Sequence, residues 1–224
     1  MSDSGIFLSN APVRISLRRV RLFTGLIEQT GEVAAFSGGN LLIKTAMCDE
    51  AEEGDSIAVD GSCLTVSRIR EGVLQFQCSR ETVSRTIAGT YVRGARVNLE
   101  RPLRLIDELH GHLVSGHIDE TASVVKVEKG GEEATFWFSF SKSRADLMVE
   151  KGSIAVNGIS LTVASVLPGR FSAVLIPETM SRTTAKEWKP GTPVNLEYDL
   201  IGKYVKKQME AAIGRRKLRD FIES

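Results

Sequence analysis

An eleven-residue segment occurs twice in this chain, 97 positions apart. Residues 56–66 read SIAVDGSCLTV and residues 153–163 read SIAVNGISLTV. The same offset relates the Glu-Thr-x-Ser-Arg-Thr motif at 81–86 to 178–183, and the Val-Asn-Leu-Glu motif at 97–100 to 194–197. One offset shared by three separated motifs predicts a tandem duplication. Any function proposed for the chain therefore has to explain two homologous units.

The overall composition excludes several classes of function. A length of 224 residues suits two domains of about 100 residues each. A net charge of +1 gives no sign of a nucleic-acid partner, and no apolar run approaches the roughly 18 residues of a membrane span. Cys48, Cys63 and Cys78 lack CxxC spacing, which indicates thiols in a reducing compartment and predicts a cytoplasmic protein. The phosphate-binding patterns GxGxxG and GxxxxGK[ST] are absent from the sequence, so an enzyme using nucleoside triphosphates is not expected.

Short β-strands are predicted within each repeat. Alternating and β-branched residues place strands at 40–45, 56–60, 63–70, 73–78 and 96–100, with a hairpin turn at Glu71-Gly72. Residues 46–53 and 143–150 are predicted to form helical turns, each followed by a glycine. The second repeat has six extra residues, which we expect at a hairpin tip within 129–133. The pattern favours an all-β fold of two six-stranded antiparallel barrels, at 22–108 and 109–200, connected near 103–110.

The two ends of the chain lie outside the repeats. Residues 1–21 contain four arginines, four serines and one acidic residue, which is typical of a transit peptide or of an upstream extension. The extension is the favoured interpretation. At the other end, apolar residues at helical spacing predict an amphipathic helix from about 202 to 220, within a C-terminal segment at 201–224. The apolar side of this helix could pack on the second barrel or against copies of itself, and self-association is favoured.

All three histidines occur close together, at positions 110, 112 and 117. A His-x-His pair has the spacing of metal ligands, but nearby ligands that would complete a site are missing, so structural hydrogen bonds are expected for His110 and His112. His117 differs, because its counterpart in the first repeat is Leu26. A titratable ring where the other copy is apolar indicates a functional role.

Cys63 and Ser160 occupy equivalent positions immediately before Leu-Thr in the two repeats. Alternation along a strand predicts that Cys63 and Thr65 point to one side, as do Ser160 and Thr162. Such a pair of small polar groups suits a ligand site in each repeat, although Cys63 could instead be a small buried residue. The Glu-Thr-x-Ser-Arg-Thr motif allows two interpretations: glutamate bonding to a flat heterocycle, or a helix-capping turn with a Glu–Arg pair.

Five motifs in order resemble the riboflavin synthase family (alpha chain), whose members carry tandem lumazine-binding repeats. They are FTGLIE at 23–28, DGSCLTV at 60–66, GHLVSGH at 111–117, NGISLTV at 157–163 and IPET at 176–179. The resemblance extends from about residue 22 to 205. Family members begin Met-Phe-Thr-Gly, and Leu22 stands at the position of that methionine, which supports an extension at 1–21.

The resemblance implies two Greek-key barrels and a C-terminal helix that holds a homotrimer. It implies that one molecule of 6,7-dimethyl-8-ribityllumazine transfers a four-carbon unit to a second. The products are riboflavin and 5-amino-6-ribitylaminouracil, and the reaction uses neither a metal nor an organic cofactor. The C7 methyl of one lumazine is a carbon acid and C7 of the other is an electrophile, so the protein mainly has to hold the two rings in register. Such positioning can supply about 7–11 kcal/mol of barrier reduction. Association with lumazine synthase is also open.

The resemblance further implies one lumazine site per repeat. The first site would comprise Gly25, Leu26, Ile27, Cys63, Leu64, Thr65, Gln77, Cys78, Ser79, Arg80, Glu81 and Thr82. The second would comprise Gly116, His117, Ile118, Lys151, Ser160, Leu161, Thr162, Val174, Leu175, Ile176, Pro177, Glu178 and Thr179. Candidates for a catalytic role are Cys63, His117, Ser160, Thr162 and Asp199.

Two other classes of function remain to be compared with the enzyme. A non-catalytic relative would hold one lumazine or flavin, and it would be expected to lose polar residues in one repeat. A tandem barrel used for protein contacts would need no ligand at all. Both repeats retain their polar residues, which favours the enzyme.

Overall fold

The first barrel consists of six antiparallel strands. The computed structural model describes residues 22–222, with side chains described as far as residue 213, so the predicted extension at 1–21 lies outside the described residues. The strands are β1 (Gln29–Ser37), β2 (Asn40–Lys44), β3 (Ser56–Val59), β4 (Ser62–Arg70), β5 (Val73–Gln77) and β6 (Arg96–Glu100). They close in the order β1-β2-β5-β4-β3-β6. Because β2 does not pair with β3, nor β5 with β6, the connections are of the Greek-key kind.

The second barrel repeats this topology. Its strands are β7 (Glu120–Gly130), β8 (Glu133–Ser139), β9 (Ser153–Val156), β10 (Ile159–Leu167), β11 (Arg170–Leu175) and β12 (Pro193–Tyr198). They close in the order β10-β11-β8-β7-β12-β9, which is the order of the first barrel with each strand replaced by its homologue. Four of the six extra residues of the second repeat lie in the β7–β8 hairpin, where each strand is two residues longer than its homologue and the turn lies between Gly130 and Glu133. The other two lie between β8 and β9, outside the expected hairpin tip. The all-β fold of two six-stranded barrels is confirmed.

Short helices follow the strands at equivalent places in both repeats. Single 3₁₀ turns span Ala46–Asp49 and Lys142–Leu147, where helical turns were predicted. A two-turn helix follows the fifth strand of each barrel, α1 (Arg80–Arg85) and α2 (Pro177–Arg182), and each leads into another 3₁₀ turn, Ile87–Thr90 or Thr184–Glu187. The C-terminal helix α3 spans Leu200–Ile222 and begins two residues before the predicted start. None of the helices formed by the described residues is apolar over the length that a bilayer crossing requires.

Each barrel encloses its own apolar core because strand residues alternate between the inside and the outside. In β4, Leu64 and Val66 are buried in the first core, whereas Thr65 is exposed. In β10, Leu161 and Val163 are buried in the second core, whereas Thr162 is exposed. Cys63 and Thr65 thus share one side of β4, and Ser160 and Thr162 share one side of β10; in both strands this side faces away from the core.

The barrels are joined by two chain segments that run antiparallel between them. Phe23 and Val114 exchange backbone hydrogen bonds of 2.8 and 3.1 Å, and both side chains are buried in a small cluster with Ala58 and Ala155. Close by, the turns at Gly61 and Gly158 approach so closely that a Cβ on Gly61 would lie 2.7 Å from the backbone nitrogen of Gly158. Only glycine fits there, so the barrels meet backbone to backbone.

Two asparagines at equivalent positions also connect the barrels. The Asn98 amide donates to the Asn157 carbonyl at 2.9 Å, and the Asn195 amide donates to the Asp60 carbonyl at 2.9 Å. Each asparagine also accepts a backbone N–H from the other repeat, with distances of 2.8 Å in both cases. Asn98 and Asn195 are buried, so these hydrogen bonds replace the ones that the side chains would form with water if they were exposed.

Among the side chains of α3 that the structure describes, those near its start form ion pairs with the second repeat. Lys203 pairs with Asp119, and Lys206 pairs with Asp146. Farther along, the apolar side chains are half exposed or more: Tyr204 is 66% exposed and Met209 is 59% exposed. Ion pairs thus attach the first turns of α3 to the second repeat. The exposed apolar side chains in the described part of α3, up to Ile213, are not covered by the rest of the chain.

Candidate functional site

The polar residues predicted to form two sites lie on the outer faces of the barrels. Cys63 and Ser160 are both partly exposed, at equivalent places on β4 and β10, and Thr65 and Thr162 follow them on the same faces. Their intervening neighbours Leu64 and Leu161 point into the cores. Each barrel therefore presents a small polar patch next to the junction between the barrels.

The segments that complete these patches are exchanged between the repeats. The Gly25 carbonyl accepts the backbone N–H of Ser160 at 2.8 Å, and the Gly116 carbonyl accepts that of Cys63 at 2.9 Å. Residues 25–27 consequently lie against the second barrel. Gly116 is held against the first barrel, and residues 117 and 118 follow it directly. The sequence grouping, which assigned 25–27 to the first site and 116–118 to the second, was wrong in this respect. Its physical cause is the antiparallel pairing of Phe23 with Val114, which directs each segment to the opposite barrel.

The contact at each glycine is unusually close. A Cβ on Gly25 would lie 2.6 Å from the Ser160 Cβ, and one on Gly116 would lie 2.4 Å from the Cys63 Cβ. Both glycines have positive φ values, +77° and +78°, which other residues rarely adopt. Both the space and the backbone conformation thus require glycine at these two positions.

A cavity of about 320 Å³ lies at the second patch. It is formed by the crossing segment, the start of β10 and the helix α2, and its lining residues are Gly25, Leu26, Ile27, Ile159, Ser160, Ile176, Glu178, Thr179, Arg182 and Thr183. An apolar wall with a few polar groups suits a flat heterocycle. The cavity thus brings together residues that the sequence assigned to two different sites.

His112 contacts this second patch, which the sequence did not predict. Its Nδ1 lies 2.7 Å from the Ser160 Oγ, and its ring is 9% exposed. Burial lowers the pKa of His112, while the charge of Asp199 opposes this shift. A lowered pKa favours the neutral imidazole at neutral pH, and a neutral imidazole can take a proton from a hydroxyl. The other ring nitrogen, Nε2, is buried and lacks a hydrogen-bond partner among the described residues.

The other histidines lie apart from this contact. His110 pairs with Glu108 at 3.0 Å on the surface, so His110 and His112 do not converge as a His-x-His metal site would require. In the part of the chain that the structure describes, no cluster of three potential ligands could hold a metal ion. His117 is exposed and follows Gly116 directly, which places it beside the first patch.

The Glu-Thr-x-Ser-Arg-Thr motifs form the helices α1 and α2. Ser79, which precedes the first motif, caps α1 by accepting the N–H of Thr82 at 3.0 Å, whereas α2 has no side-chain cap. Within the motifs, the hydroxyls of Thr86 and Thr183 accept the N–H groups of Ala88 and Ala185 and cap the 3₁₀ turns that follow. Glu81 pairs with Arg85 at 3.1 Å, and the equivalent pair in α2 is separated by 3.2 Å. The capping interpretation is therefore right for the local structure. The glutamates remain exposed, so the ligand interpretation is not excluded by it.

The remaining predicted site residues differ in what they can offer a ligand. The side chains of Leu64, Cys78, Leu161 and Leu175 are buried in the barrel cores, so only their backbone groups could reach a ligand. Exposed side chains at the two patches or at the adjoining strand ends are Gln77, Ser79, Arg80, Lys151, Val174, Ile176 and Pro177, and Ile118 and Asp199 are partly exposed. The Asp199 carboxylate also accepts the N–H of Ile201 at the start of α3.

A larger cleft of about 480 Å³ lies on the other side of Leu26. Its arginines are already bonded to carboxylates: Arg101 lies 2.7 Å from Glu28, and Arg104 lies 2.8 Å from Asp107. We place the candidate ligand site at the smaller cavity, because it contains Ser160 together with the crossing segment at residues 25–27.

Comparisons with known proteins agree with the duplication. A family model described as the lumazine binding domain matches twice, at residues 24–102 and 115–199. The chain is 40% identical to the riboflavin synthase of Mycobacterium tuberculosis (strain CDC 1551 / Oshkosh) over 200 residues, covering 85% of this chain and 100% of the relative. It is 36% identical to that of Bacillus subtilis (strain 168), covering 85% and 91%, and 35% identical to that of Photobacterium phosphoreum, covering 83% and 88%.

Solved structures of LumP share the fold. The structure of LumP complexed with riboflavin superposes with a TM-score of 0.74 at 20% identity, covering 79% of this chain and 98% of that one. The complex with 6,7-dimethyl-8-(1'-D-ribityl) lumazine gives a TM-score of 0.71 at 20% identity, covering 78% and 98%. Because of the two family-model matches and the curated relatives covered over most of their length, this chain belongs to the riboflavin synthase family of tandem lumazine-binding proteins.

Proposed function

We infer that this chain catalyses the riboflavin synthase reaction. One molecule of 6,7-dimethyl-8-ribityllumazine transfers a four-carbon unit to a second, so that the acceptor becomes riboflavin and the donor becomes 5-amino-6-ribitylaminouracil. The reaction is a transfer in riboflavin biosynthesis. The relatives that share 35–40% identity with nearly the whole repeat region carry this name, which supports the assignment.

The observation that carries this proposal is the pair of homologous but unequal polar patches. Cys63 on one barrel corresponds to Ser160 on the other, and each accepts a glycine-led segment from the opposite repeat. A dismutation uses two copies of one substrate in different roles. Two related sites that differ in one nucleophilic atom are suited to that requirement, whereas a protein that only binds one ligand needs a single competent site.

The contact between Ser160 and His112 provides a route for proton transfer at the second site. The hydroxyl and the imidazole are 2.7 Å apart, within the range over which a general base acts. We propose that this pair, with Thr162 and Asp199 nearby, handles protons at the lumazine held by the second barrel. Cys63 and His117 would act at the first barrel. The remaining predicted site residues are proposed to line the two lumazine sites.

Incubation of the purified chain with the lumazine alone tests the function. One riboflavin should appear for every two lumazines consumed, measured by absorbance and by flavin fluorescence. The alternative is a lumazine- or flavin-binding protein without turnover. Binding of the lumazine with no riboflavin formed over many hours would establish that alternative and reject the enzyme.

We also propose that the chain forms a homotrimer and that each catalytic site lies between two chains. The uncovered apolar side chains of α3 support self-association, and the pockets of two repeats related by a pseudo-twofold tend to face different directions. A Cys63→Trp variant and a Ser160→Trp variant should each be inactive, because every interface then has one blocked pocket. Refolding the two together should restore activity. Confirmed mixed trimers without activity would place the site within one chain.

Two further assignments follow from the sequence and stay predictions. A cytoplasmic location agrees with the cysteine pattern, and fractionation of the native organism tests it. Association with lumazine synthase is tested by co-purification of the two proteins from the same cells.

A further inference from the structure

The last strand of each barrel carries a buried glutamate, at its end in β6 and one residue before its end in β12, and three equivalent donors surround each carboxylate. The carboxylate of Glu100 accepts the backbone N–H and the hydroxyl of Thr24, at 2.6 and 2.8 Å, and the N–H of Gly25 at 3.1 Å. The carboxylate of Glu197 accepts the N–H and the hydroxyl of Ser115, at 2.7 and 2.6 Å, and the N–H of Gly116 at 3.0 Å. The side chains are 3% and 1% exposed, so each carboxylate is committed to these donors.

Each of the two glycines is held from both barrels. The N–H of Gly116 bonds to Glu197 of the second barrel, while its carbonyl bonds to Cys63 of the first. The N–H of Gly25 bonds to Glu100 of the first barrel, while its carbonyl bonds to Ser160 of the second. A carboxylate in one barrel is therefore connected, through one glycine, to the candidate site residue of the other barrel.

Hydrogen bonds to an ionised acceptor are stronger than those between neutral groups. Burial raises the pKa of Glu100 to about 7, and the bonds from Thr24 and Gly25 oppose this shift. Burial also raises the pKa of Glu197, against the bonds from Ser115 and Gly116. At pH 8, above the pKa of about 7, the three donors around Glu100 therefore face a carboxylate.

We propose that Glu100 and Glu197 are positioning residues that act crosswise: Glu197 orders the Gly116–His117 segment at the Cys63 site, and Glu100 orders the Gly25–Leu26 segment at the Ser160 site. Within its own barrel, each glutamate is two strands away from the site residue of that barrel. Ala58 pairs with both Glu100 and Cys63, and Ala155 pairs with both Glu197 and Ser160. A glutamate that merely supported its own sheet would affect the site of its own barrel instead. The proposal rests on the proposed function only in that Cys63 and Ser160 are taken to mark the two lumazine sites.

The test compares Glu197→Gln with Glu100→Gln at pH 8. Glutamine keeps the volume, but its amide nitrogen replaces one acceptor and faces a backbone N–H, so one charge-assisted bond is lost. The reporter is the alkylation rate of the Cys63 thiol by iodoacetamide, followed on its own peptide by mass spectrometry so that Cys48 and Cys78 do not interfere. Glu197→Gln should raise this rate about tenfold, the size expected for one lost hydrogen bond to a charged group, whereas Glu100→Gln should leave it unchanged.

The reciprocal measurement uses a Ser160→Cys background, in which Glu100→Gln should accelerate alkylation at position 160 and Glu197→Gln should not. Thermal unfolding of both variants controls for general destabilisation, which would change both rates together. The proposal is overturned if each glutamine variant changes the alkylation rate only in its own barrel. It is also overturned if both variants change the two rates equally, or if neither rate changes. These readouts need no turnover, so they remain informative if the chain proves not to form riboflavin.

Discussion

The buried carboxyl group of Asp60 should make the stability of this protein depend on pH. Asp60 is 2% exposed and lies in the turn between β3 and β4. Its carboxyl accepts the N–H of Asn98 at 2.8 Å and the hydroxyl of Tyr91 at 2.7 Å. Burial raises its pKa from 3.8 to about 7, against these two bonds. The second repeat has Asn157 at this position, with its side chain accepting the equivalent N–H at 2.7 Å.

The sign of the effect follows from the raised pKa. The folded state binds the proton of Asp60 more tightly than the unfolded state, so this contribution to stability is complete below pH 3.8 and is lost as the pH rises to about 7. A shift of about 3 units at 1.36 kcal/mol per unit gives a ceiling of about 4 kcal/mol. Asp60→Asn should therefore be close to neutral near pH 4 and stabilising by up to about 4 kcal/mol at pH 8.

Thermal unfolding at pH 4.5 and pH 8, at one protein concentration, measures the difference. The variant should gain several degrees in Tm relative to the parent at pH 8 and little at pH 4.5. Glu100 also titrates near 7, but it is present in both proteins and cancels in the comparison. The reciprocal Asn157→Asp should lose stability at pH 8. An Asp60→Asn protein that is less stable than the parent at pH 8, or that shows the same difference at both pH values, would refute the reasoning.

Further outcomes are expected from changes at the sites and at α3. Cys63→Ser should keep measurable turnover, because serine occupies the equivalent position 160; a folded but inactive variant would show that the thiol is essential. Gly116→Ala should abolish turnover at the first site, because the methyl group would meet Cys63 at 2.4 Å; steady-state kinetics of the folded variant checks this. His112→Ala should lower kcat by about a hundredfold, the range of a lost general base, with lumazine binding retained in a fluorescence titration. Truncation after Lys203 should give monomers by light scattering, and a truncated trimer would exclude α3 as the contact.

The duplication allowed most of the fold to be predicted. Equivalent motifs were assigned equivalent strands, and alternation correctly placed Cys63 and Thr65 on one side of their strand, and Ser160 and Thr162 on one side of theirs. What the repeat could not show is which barrel each crossing segment contacts. A single repeat reads the same whether residues 25–27 lie on their own barrel or on the other one, because the Phe23–Val114 pairing that decides this spans 91 residues.

The contact of His112 with Ser160 was missed for a related reason. At the offset of 91 residues, the counterpart of His112 is Arg21, which lies outside the matched repeats. Comparison of the two halves therefore showed no difference at this position. The signal that existed was a histidine in a segment that also contains Gly116, the glycine pressed against Cys63. Recognising that this segment passes both patches requires three-dimensional knowledge of the junction.

The backbone contact between Gly61 and Gly158, together with the reciprocal asparagine bonds, gives the junction the character of a homodimer interface. Each half supplies the same groups to the other, as two identical subunits do across an isologous contact. A primitive single-repeat polypeptide could form this junction by pairing with a twin, and both of its sites would then be identical. Two repeats within one chain can differ where identical subunits cannot, as Cys63 and Ser160 do. The proposed reaction, in which two identical substrates take different roles, requires such a difference.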